Sequence, residues 1–243
     1  VNHCIVIPAR WQSSRFPGKP LADLGGKPVL VHVWERCRLS IDDDRIIVAT
    51  DDDRIADVMN AVGARVAMTS SACLTGTDRV AEVAQEFPAD WYFNVQGDEP
   101  FVDPRAISAV MDAANGAEPD IAAVNAMSRI TLESDFRSPT VPKVVCDARK
   151  RLLYMSRAAI PTDKTLAFRT AHRQIGLYAF RPSVLEAFAA QASKMPLEEV
   201  EDIEILRLVE LGYTIQMVDV DSPGPAIDTP EDLQRAIALL DRS

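Results

Sequence analysis

Cys4-Ile5-Val6-Ile7-Pro8-Ala9-Arg10-Trp11-Gln12-Ser13-Ser14-Arg15-Phe16-Pro17-Gly18-Lys19-Pro20 opens as a short apolar run and passes into a loop of cations, hydroxyls and a glycine. The run reads as a buried first strand. Apolar residues at helical spacing follow over 28–39 (Val29, Val33, and Leu30 with Trp34), then a second buried strand over 45–50. The alternation continues with a helix over 51–60, which Asp51 or Asp52 can cap and Gly63 ends, and a strand over 65–69. A helix over 77–87, a strand over 91–95, a helix over 104–114 and a strand over 121–127 come next. From 131 to 161 the pattern weakens to two short strand candidates, 141–146 and 152–156, separated by Asp147-Ala148-Arg149-Lys150, a turn-like cluster. A strand over 175–181, helices over 184–192 and 198–211, a strand over 215–220 and a helix over 230–240 complete the chain. Strands alternating with helices predict a layered α/β sheet rather than a sandwich or bundle.

The 243 residues are 47% hydrophobic and 26% charged, near the globular average, which excludes disorder, collagen and coiled coil. The expectation is one domain over 1–243, with a small inserted lobe or edge hairpin over roughly 128–175. A formal charge of −10 argues against broad nucleic-acid or anionic-membrane binding, so an anionic substrate has to be met by a local group of Arg and Lys. The four cysteines form no CxxC pair, the first 30 residues show no secretory pattern, and no apolar stretch spans a bilayer. A cytoplasmic location with reduced thiols is expected.

Open α/β sheets bind ligands beyond the carboxyl ends of their strands, so the residues after each strand carry the functional reading. After strand one stand Arg10, Arg15 and Lys19 among Ser13, Ser14 and Gly18, suited to a triphosphate: cationic donors, hydroxyls and an approachable backbone. The loop matches neither GxGxxG nor GxxxxGK[ST]. Gln96-Gly97-Asp98-Glu99-Pro100 ends an otherwise apolar strand, and a short carboxylate there suits Mg²⁺, which needs few protein oxygens beside phosphates. Asp228, in Ala226-Ile227-Asp228-Thr229-Pro230, reads equally as a helix cap. Thr75-Gly76-Thr77-Asp78-Arg79 reads either as a ligand loop or as a capping turn with Thr77. Lys143 and Arg157 either bind an anion or solvate the edge hairpin. Three histidines without a nucleophile arrangement give covalent catalysis little support, and chemistry by positioning and polarising at phosphorus fits better.

In order along nearly the whole chain, Ile7-Pro8-Ala9-Arg10, Arg15 to Leu21, Ile47 to Asp51, Thr75 to Arg79, Asn94 to Pro100, Lys143-Val144-Val145, Tyr154 to Arg157, Gly176-Leu177-Tyr178 and Asp228-Thr229-Pro230 resemble the 3-deoxy-manno-octulosonate cytidylyltransferases, or CMP-Kdo synthetases. The resemblance implies a Rossmann-like nucleotidyltransferase fold with a mixed, mostly parallel sheet and a dimerisation lobe, hence a homodimer. It implies transfer of CMP from CTP to a 2-keto sugar acid with Mg²⁺, releasing pyrophosphate. Arg10, Lys19, Asp98 and Asp228 are then the catalytic set, with Asp98 and Asp228 on the metal. Ala9, Arg10, Ser13, Arg15, Lys19, Thr75, Arg79 and Gln96 bind the nucleotide. The acceptor falls to Lys143, Arg157, Gln174, Tyr178, Glu204 and Ile205.

The departures concern the acceptor. Gln174 stands where the family has histidine, Ile205 stands where it has glutamine, and the stretch from 161 to 174 is short. Losing a donor and an acceptor from a polyol pocket changes which hydroxyls it discriminates. Kdo is the first expectation for the acceptor; amino-Kdo, another ulosonic acid or a small phosphonate such as phosphonoformate are the alternatives. A non-catalytic nucleotide-binding protein is the rival of another class, and it predicts the loss of an essential charge, yet Arg10, Lys19, Asp98 and Asp228 are all present.

Overall fold

The computed structural model describes residues 1–13, 15–221 and 224–240; Ser14 of the basic loop lies outside them. Its strands are β1 (His3–Ala9), the two-residue ribbon β2 (Asp23–Leu24) and β3 (Lys27–Pro28), β4 (Ile46–Thr50), β5 (Arg65–Met68), β6 (Trp91–Val95), β7 (Ile121–Arg129), β8 (Lys143–Cys146), β9 (Leu152–Ser156), β10 (His172–Phe180) and β11 (Thr214–Asp219). The helices are α1 (Val29–Cys37), α2 (Asp53–Ala61), α3 (Gly76–Glu86), α4 (Pro104–Asn115), α5 (Glu133–Arg137), α6 (Pro182–Ala189), α7 (Pro196–Glu201), α8 (Leu206–Glu210) and α9 (Pro230–Leu240).

The main sheet runs β11-β7-β10-β6-β1-β4-β5, parallel except for β10, which is antiparallel to both β6 and β7. Successive side chains of a strand point to opposite faces, so Ile5 and Ile7 of β1 join a core layer under α1 and α4, while Cys4 and Val6 join one under α3, α6 and α8. Chain direction changes sides about β1: β4 follows on one flank and β6 on the other. Their carboxyl ends therefore open one crevice, the geometry that receives ligands in α/β sheets. Hairpin β8–β9 is an edge hairpin, joined to the sheet where β8 pairs with the start of β10.

Asn125 is fully buried on β7, facing the irregular register of β10 between Gln174 and Tyr178. Its amide donates to the Ile175 and Leu177 carbonyls at 2.9 Å each, supplying the partners that the interrupted ladder lacks. Gln174 in turn donates to Asn125 Oδ1 at 3.1 Å.

The expected single helix over 198–211 is two short ones. Asp202 takes a left-handed conformation (φ 49°, ψ 51°) between α7 and α8, which Asp tolerates better than most residues. The break turns Glu198 inward and lets Glu204 reach the first turn of α3. The capping expectations are also refined. Asp52 caps α2, and α3 is capped by Thr75 rather than Thr77, in a capping box with Asp78.

Candidate functional site

The loop leaving β1 folds back on itself: Gly18 donates its N–H to the Trp11 carbonyl and has φ 72° against the Trp11 ring, with Arg54 stacked 3.5 Å from that ring. A side chain at 18 would meet both the left-handed backbone and the indole. This fold-back ends in a short 3-10 turn from Lys19 that aims the lysine across the crevice. Lys19 Nζ lies 2.6 Å from Asp98 Oδ2 and 3.3 Å from Asp228 Oδ1, and Arg15 approaches Asp228 at 3.2 Å. Ser13 Oγ accepts from the Phe16 N–H, and Arg10 is exposed at the cavity wall.

Asp98 and Asp228, 130 positions apart in sequence, meet because the Ile227 N–H donates to the Asp98 carbonyl at 2.9 Å. Gly97 allows the turn to lie against β1, since a Cβ there would stand 2.7 Å from the Pro8 carbonyl oxygen. The helix-cap alternative for Asp228 is resolved by its neighbours: Thr229 and Asp232 form the reciprocal cap of α9, with the Asp232 carboxylate accepting from the N–H groups of Asp228 and Thr229. The Asp228 carboxylate is left facing Lys19 and Arg15. Two hard-oxygen carboxylates bridged by one ammonium, opening on a cavity, form a donor set that fits a divalent cation completing its shell from phosphates and water. Among the described residues no group of three His, Cys, Asp or Glu is placed to hold a metal alone.

The adjoining wall is the first turn of α3. Thr75 and Gly76 line the cavity beside Gln96, whose amide donates to Asn94. Arg79 also lines it, but its guanidinium is held by Thr69, the Ser70 carbonyl and Asp51, so it shapes the wall while its donors are engaged. Glu204 accepts from the Gly76 and Thr77 N–H groups and, at 2.6 Å, from the Thr77 hydroxyl. Burial raises the Glu204 carboxyl above the usual range. Glu99 is pushed up to about 7 by burial and the neighbouring Asp98 charge, against the pull of Arg173. Altogether the cavity, about 420 Å³, brings together Ala9, Arg10, Ser13, Arg15, Lys19, Thr75, Arg79, Gln96, Asp98, Glu204 and Asp228 of the residues singled out from sequence.

Residues 4–215 match the family model described as Cytidylyltransferase. The chain belongs to the cytidylyltransferase family. A 3-deoxy-manno-octulosonate cytidylyltransferase of Syntrophotalea carbinolica is 43% identical over 97% of each chain, and one of Chlorobium limicola is 40% identical over 100% of this chain and 99% of its own. Among solved structures, a CMP:2-keto-3-deoxy-manno-octonic acid synthetase complexed with CTP superposes with a TM-score of 0.93 at 35% identity, covering 100% of this chain and 99% of that one.

In this cytidylyltransferase the remaining acceptor expectations lie off the cavity wall. Lys143 is fully buried, and its ammonium donates to the carbonyls of Ser138, Val141 and Arg157, which uses all three protons. It ties the edge hairpin together and has no donor left for an anion. Burial pulls its ammonium below the ordinary lysine range. Arg157 spreads its guanidinium over the carbonyls of Glu201, Pro139 and Asp202. Ile205 packs in the apolar layer beneath α8, so the polar contact expected to be missing at 205 is not a gap in the cavity wall. Tyr178 is buried beside Phe180, and burial with the nearby Glu204 and Glu99 charges raises its phenol well above the usual value. Gln174 is occupied by Asn125. Gly176 packs under Glu99, since a Cβ there would lie 2.5 Å from its carboxylate oxygen.

Two charged wall residues escape the sequence reading: Lys194 and Asp202, joined at 2.7 Å. Asp202 sits in the unforeseen break between α7 and α8, and Lys194 in the turn before α7.

Proposed function

We propose that the chain transfers CMP from CTP to 3-deoxy-manno-octulosonate, giving CMP-Kdo and pyrophosphate. The observation that supports this most strongly is the Asp98–Lys19–Asp228 bridge at the foot of the basic loop, in a chain whose relatives at about two-fifths identity carry that activity in their names. Arg10, Arg15 and Lys19 supply donors for phosphate oxygens, and the turn 96–98 with the start of α3 encloses the nucleoside. The acceptor hydroxyl attacks the α-phosphorus in line; the new P–O bond forms as the α–β bridging bond breaks, pyrophosphate leaves with the charge, and the hydroxyl proton passes to solvent water. Lys19 stands where the charge on the phosphates accumulates. Mg²⁺ held by Asp98 and Asp228 would neutralise phosphate charge. No protein nucleophile is needed, and positioning does the rest.

The expected result is pyrophosphate release from CTP and Mg²⁺ that depends on Kdo, measured against a blank and a panel of other sugar acids and phosphonates. Silence with Kdo alongside turnover of another acid would replace the acceptor. That panel is warranted by Gln174, whose amide is spent on Asn125 where the family shows a histidine.

Among the described residues no helix is long and apolar enough to cross a membrane. Consumption of CTP is the ground for a cytoplasmic location. A homodimer is supported by Leu153 and Val200, large apolar side chains 58% and 82% exposed on β9 and α7, elements joined by the Tyr154–Glu201 and Ser156–Glu201 bonds. Light scattering should give twice the chain mass, and a Leu153→Glu, Val200→Glu variant should give the monomer; a monomeric wild type would refute the assembly.

A further inference from the structure

An acidic acceptor brings a carboxylate into the cavity beside phosphates already using Arg10, Arg15 and Lys19. It needs its own counter-charge. Among the described residues lining the cavity the remaining cations are Arg79 and Lys194. Arg79 is spent on Asp51, Thr69 and the Ser70 carbonyl. Off the wall, Lys143 has all three protons on backbone carbonyls, and Arg157 is spread over three more. Lys194 is different. Its side chain is 26% exposed, and among the described residues its one hydrogen bond is to Asp202 Oδ1, which leaves two ammonium protons for a ligand. That bond holds the ammonium charged, above its ordinary pKa, and draws the Asp202 carboxyl below its own. Asp202 is itself a carboxylate 70% exposed among cations: Lys194 at 2.7 Å, Arg157 at 3.7 Å, and Arg10 acting through its field. A carboxylate in this setting marks a place where the protein already solvates one.

We propose that Lys194 is an acceptor-binding residue, its ammonium pairing with the carboxylate of the incoming acid and exchanging Asp202 for it wholly or in part. This rests on the reading of the chain as a transferase to an acidic acceptor, and it assigns the acid end to the turn before α7. A charge-assisted bond of this kind is worth about 1.5–3 kcal/mol, or roughly 10- to 150-fold in affinity.

The test is steady-state pyrophosphate release with Kdo and with its methyl ester, for the wild type, Lys194→Met, Lys194→Arg and Asp202→Asn. Lys194→Met is expected to raise the KM for the acid by about 30-fold while the KM for CTP stays within about twofold. Lys194→Arg should recover most of the loss. Esterifying the acid should penalise the wild type to the same degree and Lys194→Met hardly at all. Asp202→Asn breaks the same ion pair but keeps the ammonium, so it should hold or lower the KM for the acid; a rise matching Lys194→Met would make the pair structural and overturn the proposal. So would an unchanged acid KM in Lys194→Met, or an ester penalty as large there as in the wild type. Wild-type silence with Kdo but turnover of another panel acid would overturn the acceptor and not the lysine, and the same comparison then runs with that acid and its ester. Silence toward every acid overturns both.

Discussion

Asp98→Asn is expected to lower kcat by about a thousandfold, several kcal/mol of barrier, while the protein stays folded. The side chain is 28% exposed and its carboxylate bonds Lys19. The contact that docks the 227–228 segment uses the Asp98 backbone carbonyl, so the amide variant leaves that joint in place. What is lost is one full negative charge from a pair that holds Lys19 between two carboxylates and suits a divalent cation. An asparagine oxygen carries only a partial charge and is a poorer ligand for a hard cation. Asp228→Asn should cost less, because Asp228 is 42% exposed and stands farther from the ammonium, at 3.3 Å. Pyrophosphate release at saturating CTP, beside a thermal melt that moves by no more than a few degrees, checks both. Asp98→Asn within tenfold of the wild type would remove Asp98 from the catalytic set.

The distribution of legible and illegible residues has a physical pattern. β1, β4 and β6 are buried on both faces, so they read as mostly apolar runs, and the polar residues after their carboxyl ends stand out. Arg10 to Lys19 and Gln96 to Asp98 were visible for that reason. Family resemblance added Asp228, and a hydrogen bond between backbone atoms brings it to Asp98; no side-chain pattern could encode that meeting. The acceptor side was harder. Lys143 looks like any surface lysine in sequence because its three partners are carbonyls, which every residue carries. Glu204 and Ile205 are neighbours read as one helical turn, and only the left-handed Asp202 decides that Glu204 faces the cavity and Ile205 the core. Lys194 was invisible because its partner is created by that same break.

The break also sets the largest expected effect on stability. Arg207 of α8 is fully buried; its Nε and Nη2 donate to the Glu198 carboxylate at 2.6 and 2.7 Å, Nη1 donates to Asp78 and the Phe188 carbonyl, and the guanidinium stacks 3.8 Å from the Phe188 ring. Glu198 is equally buried. Arg207→Met therefore fills most of the volume but strands a carboxylate in the core, which costs about 3–5 kcal/mol. For a chain of this size that lowers the melting temperature by roughly 6–20 °C. Adding Glu198→Gln removes the stranded charge and should return a good part of the loss, the reverse of what two independent contacts would do. A melt shifted by less than 2 °C in Arg207→Met would mean that water or another cation takes over Glu198. The same arginine bonds Asp78 in the capping box of α3, the turn that Glu204 closes from the residues just before α8. Well below its melting point Arg207→Met should lose affinity for CTP as well as stability, because the wall that carries Thr75 and Gly76 is fastened to α8 by the charges it removes.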